Sequence, residues 1–147
     1  MTFDKFTIKA QEAIQEAVNL VQARGQQAIE PEHLLAGILK VGENVTNFLF
    51  QKLGVNSRQI EQVLESQIAS LPKVQGGEPY LSRESNEVLT RAQDYASKGG
   101  DEFVSLEPML LALLNVKSTA SRILKDAGIT EKELASAVNE LRKGEKV

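Results

Sequence analysis

The sequence carries one pattern twice. Adding 75 to the residue numbers of the first half places Thr7 on Ser82, Ala17 on Ala92, Gly25 on Gly100, Glu32 on Glu107, Leu35 on Leu110 and Leu39 on Leu114. One residue is dropped in the second connecting loop. With the offset then 74, Gly54 falls on Gly128, Val55 on Ile129, Asn56 on Thr130 and Ile60 on Leu134. Helix caps, helix stops and apolar positions coincide, so the chain reads as two copies of one supersecondary unit, and each copy must pack the same elements in the same order.

The period inside each copy is helical. Ala10, Ala13, Ile14, Ala17, Val18 and Val21 recur at three- and four-residue steps, which predicts an amphipathic helix from about Thr7, its N-cap, to Arg24, stopped at Gly25. Glu30-Pro31-Glu32-His33 opens a second helix with proline in its first turn, a buried stripe of Leu34, Leu35, Ile38 and Leu39, and an end at Gly42. Asn44 is the expected cap of a short third helix ending at Gly54, and Asn56-Ser57-Arg58-Gln59 resembles a capping box opening a fourth. In the second copy Thr130-Glu131-Lys132-Glu133 is the stronger capping box. No segment alternates apolar and polar residues for long, so no strand is expected. The predicted fold is all-α: two pseudo-twofold repeats of a four-helix unit, eight helices, with repeat one at 1–71, an extended linker at 72–81 marked by Pro72, Gly76, Gly77 and Pro79, and repeat two at 82–147.

Composition narrows the chemistry. A chain of 147 residues with no cysteine and one histidine, His33, has no thiolate nucleophile and no sulfur ligand for zinc, and any histidine-based metal site or catalytic triad must use that one imidazole. A net charge of -3 argues against general binding to nucleic acid or an anionic membrane, which a basic surface would drive. The N-terminus has no secretory pattern, and no stretch approaches the roughly 20 apolar residues of a membrane span, so a cytoplasmic location is expected by elimination. There is no phosphate-binding loop, no His-Glu-x-x-His and no Gly-x-Ser-x-Gly. His33 reads as a surface or half-buried residue rather than a metal ligand, because a lone ligand leaves the rest of a coordination shell unfilled.

Glu32 and Glu107 stand out because the repeat puts one acid in the first turn of each second helix. Two accounts remain open. Carboxylates there complement the helix dipole by about 0.3 to 1 kcal/mol. Alternatively, a related pair of acids engages cationic groups of a partner, with Asp101 adding charge beside the second. Acids around apolar helix faces also suit a groove in which an unfolded chain buries side chains with little demand for sequence-specific hydrogen bonds.

Phe6 to Ala13, Ile29 to Leu35, Leu71-Pro72-Lys73-Val74-Gln75-Gly76-Gly77, and Gly100 to Ser105 resemble the Clp N-terminal domain, in order and over nearly the whole chain. The Leu-Pro-Lys-Val-x-Gly-Gly linker resembles the disaggregase branch of that family. The resemblance implies a substrate-recognition module of a hexameric, ATP-driven protein disaggregase, monomeric as an isolated domain, with nucleotide-binding domains beyond Val147. It implies no cofactor in this chain, with ATP and magnesium used by the full-length protein. The implied partners are unfolded or aggregated client proteins, and a co-chaperone or adaptor, with neither nucleic acid nor membrane. By motif position the implied client-binding residues are Thr7, Asp101 and Glu107, with a groove sought near Leu89, Pro108 and Met109. Relatives that recognise phosphorylated arginine use glutamates that fall here on Glu32 and Glu107. The second copy departs from the usual family pattern at Leu106-Glu107-Pro108-Met109, where many relatives have Thr-Glu-His-Leu.

Overall fold

Caps and glycines set the helix ends. Thr7 Oγ1 accepts from the Ala10 N–H at 3.2 Å and opens α1 (Ile8–Ala23), and Ser82 does the same for α5 (Arg83–Lys98) through Ser85. Gly25 and Gly100, past the ends of these helices, have φ of +67° and +83°, and the later pair Gly54 and Gly128 have +67° and +97°. Glycine takes this left-handed region without the Cβ penalty, so the stop is repeated because the backbone conformation is repeated. The computed structural model describes residues 2–143 and 146–147. Among them the remaining helices are α2 (Pro31–Val41), α3 (Glu43–Leu53), α4 (Ser57–Ala69), α6 (Leu106–Asn115), α7 (Thr119–Asp126) and α8 (Glu131–Arg142). The fold is the expected all-α duplication of a four-helix unit.

Three expected helix starts are corrected, one of them the box at Asn56, whose Oδ1 accepts from the Gln59 N–H at 3.2 Å without a return bond among the described residues. The third helix starts two residues early: Gly42, not Asn44, stands at both the end of α2 and the start of α3. A Cβ at Gly42 would lie 2.3 Å from Leu106 Cδ1, so the second repeat packs into the break between these helices. The Thr130 box is one-sided. Thr130 Oγ1 accepts from the Glu133 N–H at 3.3 Å but donates its own proton to the Glu133 carboxylate at 2.9 Å. A reciprocal box occurs instead at Ser118 with Ser121, and at α2 the His33 ring accepts from the Glu30 N–H.

Strand is also present, as two short parallel strands, β1 (Ala28–Ile29) and β2 (Tyr80–Leu81), paired Ala28 with Tyr80 and Ile29 with Leu81. A parallel bridge joins Phe6 to Val104. Adding 75 turns Phe6 into Leu81 and Ile29 into Val104, so the two pairings are the same contact with the repeats exchanged. Each repeat thus lends the residue before its first helix to the residue before the other's second helix. Pairs this short leave no alternation to read in the sequence, which explains why the strand signal was missing. The segment between the repeats is held as well: Val74 N–H donates to Gly25 O at 2.9 Å and Tyr80 N–H to Gln27 O at 3.1 Å.

One apolar core runs through both repeats, from Phe6 and Ala10 to Leu134 and Val138. Within repeat one, Ala10, Ala13 and Ala17 are fully buried, and a Cβ on Gly37 of α2 would sit 2.2 Å from Ala13 O, so these two helices touch backbone to backbone. Repeat two has Val88 and Ala112 at the matched positions. None of the helices among the described residues is long and apolar enough to cross a membrane.

Candidate functional site

The first turns of α2 and α6 carry the acids Glu32 and Glu107, with Asp101 in the loop before α6, and the two repeats finish these places differently. In repeat two Arg142, in the last turn of α8, donates from Nη1 to Asp101 Oδ2 at 2.7 Å, from Nε to Glu107 Oε1 at 2.8 Å and from Nη2 to Ser105 Oγ at 2.7 Å. Ser105 Oγ in turn donates to Glu107 Oε1 at 3.2 Å. The node is largely withdrawn from water, with side-chain exposures of 15% for Arg142, 3% for Asp101 and 9% for Glu107. Burial opposes the charge of Arg142, but the hydrogen bonds to Asp101 and Glu107 outweigh it and raise the guanidinium above its ordinary pKa. The other oxygen of Asp101 accepts from the Val147 N–H at 2.9 Å. Both acids expected to meet a partner are therefore already engaged within the chain.

Among its described residues repeat one holds no such ion pair. Ile68 stands where repeat two has Arg142, and Gln26 where it has Asp101. Gln26 Nε2 donates to Ile68 O at 2.8 Å, while its Oε1 lies 2.7 Å from His33 Nε2. His33 Nδ1 accepts from the Glu30 N–H at 2.9 Å, so a neutral ring carries its proton on Nε2 and donates to Gln26. This corrects the reading of His33 as a surface or half-buried residue: it is fully buried, and its ring is a structural link between the start of α2 and the end of α4. Burial, with the positive charge of Arg24 second, lowers its pKa to about 4.

Glu32 is 5% exposed, and no cation bonds it among the described residues. Burial raises its pKa, the nearby carboxylates of Glu30 and Glu84 add to the rise, and a backbone hydrogen bond and Arg122 oppose it. Its counterpart Glu107 has Arg142, so the repeat-related acids are not equivalent in bonding or availability.

The remaining candidates divide. Thr7 lies against the loop of the acid pair, its N–H donating to Val104 O at 2.9 Å. Its hydroxyl is used as a helix cap. Leu89 and Met109 have no exposed surface and Pro108 is buried, so the groove sought beside them is closed in this structure. Leu89 belongs to the inner stripe of α5, which is where an apolar residue at helical spacing usually goes. Sequence reasoning missed Arg142 and Gln26. The repeat held the signal: a charged residue at position 142 matches a buried isoleucine, and a buried charge needs a buried partner. No cluster of metal-ligating side chains occurs among the described residues.

The model of the Clp repeat (R) N-terminal domain matches residues 5–127. The chain is 73% identical over 147 residues to the chaperone protein ClpB of Bacteroides thetaiotaomicron and 51% identical to that of Porphyromonas gingivalis; all of the chain is covered in each comparison. It spans 17% of the length of each of these relatives. Among solved structures, the Hsp104 N-terminal domain of Candida albicans superposes with a TM-score of 0.86 at 23% identity, covering 97% of this chain and 95% of that one. The N-terminal domain of the ClpV1 ATPase from E. coli gives 0.83 at 23% identity, covering 96% and 88%. At these identities the structural likeness establishes the fold.

Proposed function

The chain belongs to the Clp repeat N-terminal domain family, and on that basis we propose that it is the client-recognition module of a ClpB-type, ATP-driven protein disaggregase, binding exposed apolar segments of unfolded or aggregated proteins. The observation that carries this reading is the identity with ClpB chaperones along the whole chain. In this reading the rest of the longer protein supplies hexamer formation and ATP hydrolysis with magnesium, and the assembly works in the cytoplasm. The helical surface fits the role, because shallow grooves take apolar side chains without requiring a fixed sequence.

An unfolded client loses conformational entropy when it docks, so a single module binds weakly, with a dissociation constant above roughly 1 μM, and several copies in one assembly raise the affinity by avidity. Titrating the chain with a permanently unfolded reporter protein, followed by fluorescence anisotropy at low and high salt, tests this. Binding that persists in high salt supports apolar capture. No binding at any concentration would remove the reading.

Docking of phosphorylated arginine at Glu32 and Glu107 is the second reading, and the lack of a cation on Glu32 favours it at that position alone. At Glu107 an incoming guanidinium would have to displace Arg142. Glu32→Ala therefore separates the readings: it removes phosphoarginine binding if that is the ligand, and leaves capture of an unmodified unfolded client intact.

A further inference from the structure

The repeats meet along two helix pairs that exchange under the duplication, α3 against α8 and α7 against α4. With the offset of 74, Lys52, Leu53, Glu133 and Ala137, which border the α3–α8 furrow, correspond to Asp126, Ala127, Gln59 and Val63, which border the α4–α7 groove. The two places are related by the duplication and differ in chemistry. Between α3 and α8, Leu53 packs half-buried against the core, Ala137 is buried, and Lys52 Nζ donates to Glu140 Oε1 across the helices at 2.9 Å. The remaining furrow is bordered by charged side chains, including Lys132 and Glu133.

Between α4 and α7 the leucine is replaced by Ala127, the lysine by Asp126 and the glutamate of the ion pair by Ser66. The larger Val63 takes the place of buried Ala137 and remains 42% exposed. The groove here is about 330 Å³ with an apolar lining that includes Val55, Ile60, Val63 and Ile123, whereas the α3–α8 furrow, about 420 Å³, is bordered mostly by polar and charged side chains. Asp126 is the one ionisable side chain lining it. No ion pair of Asp126 is formed among the described residues.

We propose that this groove is a docking site for an extended polypeptide segment presenting a leucine-sized aliphatic side chain beside a lysine or arginine. The aliphatic group meets the apolar lining where the related furrow has Leu53 on its border, and the cation meets Asp126 where that furrow has Lys52. The charge at the rim has thus changed from a cation paired with Glu140 to an exposed acid, which selects a basic neighbour over an acidic one. The proposal rests on the reading of the chain as a binder of unfolded segments, and locates one site for them.

The test is an NMR titration with a capped peptide carrying Leu-Lys between Gly and Ser flanks, beside versions with Leu-Glu and Ala-Lys. Shifts should cluster at Val55, Ile60, Val63, Ile123 and Ala127, and both altered peptides should bind at least about fivefold more weakly, a change of about 1 kcal/mol. The double variant Asp126→Lys, Ala127→Leu, which copies the related furrow, should weaken Leu-Lys binding about tenfold or more while keeping the helical circular dichroism spectrum. Val63→Asp, at an exposed position, should do the same and covers the case in which the double variant fails to fold. Peptide shifts centred elsewhere, or equal binding by a folded variant, would overturn the proposal. If the unfolded reporter still binds the chain when the groove variants show no effect, only the location falls. If neither peptide nor reporter binds the unaltered chain, the functional reading falls with it.

Discussion

Arg142 holds Asp101 at 2.7 Å in the place where repeat one joins Gln26 to the carbonyl of Ile68. One tie of the fold is thus built twice, ionic in one repeat and neutral in the other. The ionic version includes two carboxylates and is fragile to single changes, because removing one partner leaves buried charge uncompensated. Arg142→Ile should cost about 3 to 5 kcal/mol in denaturant unfolding. Adding Asp101→Gln, which copies Gln26 of repeat one, should recover part of that loss. A double variant no more stable than Arg142→Ile alone would show that the two ties are not interchangeable.

The neutral tie has a pH signature. His33 titrates near 4 in the folded chain and near its ordinary 6.5 when unfolded. Between these values the unfolded state binds the extra proton, so stability is full above pH 6.5, falls as the pH is lowered, and levels off below about 4. The loss should total about 3 kcal/mol. Glu32 has the opposite slope, since a pKa raised above its ordinary 4.5 makes the folded state take up a proton first on acidification. The His33 contribution is therefore tested with its own variant, between pH 6.5 and about 4. His33→Gln, which retains a capping side chain, should flatten the stability profile there; an unchanged slope in urea unfolding would assign it to another group.

The caps at Thr7 and Ser82, the helix stops and the doubled stripe were legible because they follow from local spacing, and the repeat supplied a second reading of each; the start of α3 and the Thr130 box were not. The acid positions were legible too, but their roles were not. Glu32 and Glu107 occupy matched places, and what separates them is residue 142, far along the chain, where an arginine replaces the repeat's isoleucine. Leu89 and Met109 were drawn toward a binding surface by motif position, although their helical spacing already placed them on the inner stripe. The β1–β2 pairing arises from residues that become neighbours only when the repeats interlock, so no local pattern announces it.

Gly37 makes a different kind of prediction. Its missing Cβ permits α2 to meet the backbone of α1 at Ala13 O. Gly37→Ala must separate the helices, since no side-chain rotation relieves a contact with a carbonyl. A loss of about 1 to 3 kcal/mol is expected despite the better helix propensity of alanine. Trimming Ala13 to glycine should not restore it, which a thermal-unfolding comparison of the single and double variants would check.

Thr7 and Leu89 separate stability from binding at the positions that the family resemblance implies for clients. Thr7→Ala removes the cap of α1 and should cost about 1 kcal/mol, with Thr7→Ser restoring most of it. Leu89→Ala opens a cavity in a side-chain environment with no exposed surface and should cost about 2 to 5 kcal/mol. If clients bind the chain in the conformation described, reporter affinity measured well below the unfolding temperature of each variant should stay within about twofold of the unaltered chain, a difference below about 0.5 kcal/mol. The same measurement exposes the alternative directly. A larger fall in affinity for Leu89→Ala while its circular dichroism spectrum remains folded would mean that α5 and α6 part to admit a client onto Leu89 itself, and the closed face seen here would then be the resting form of the site.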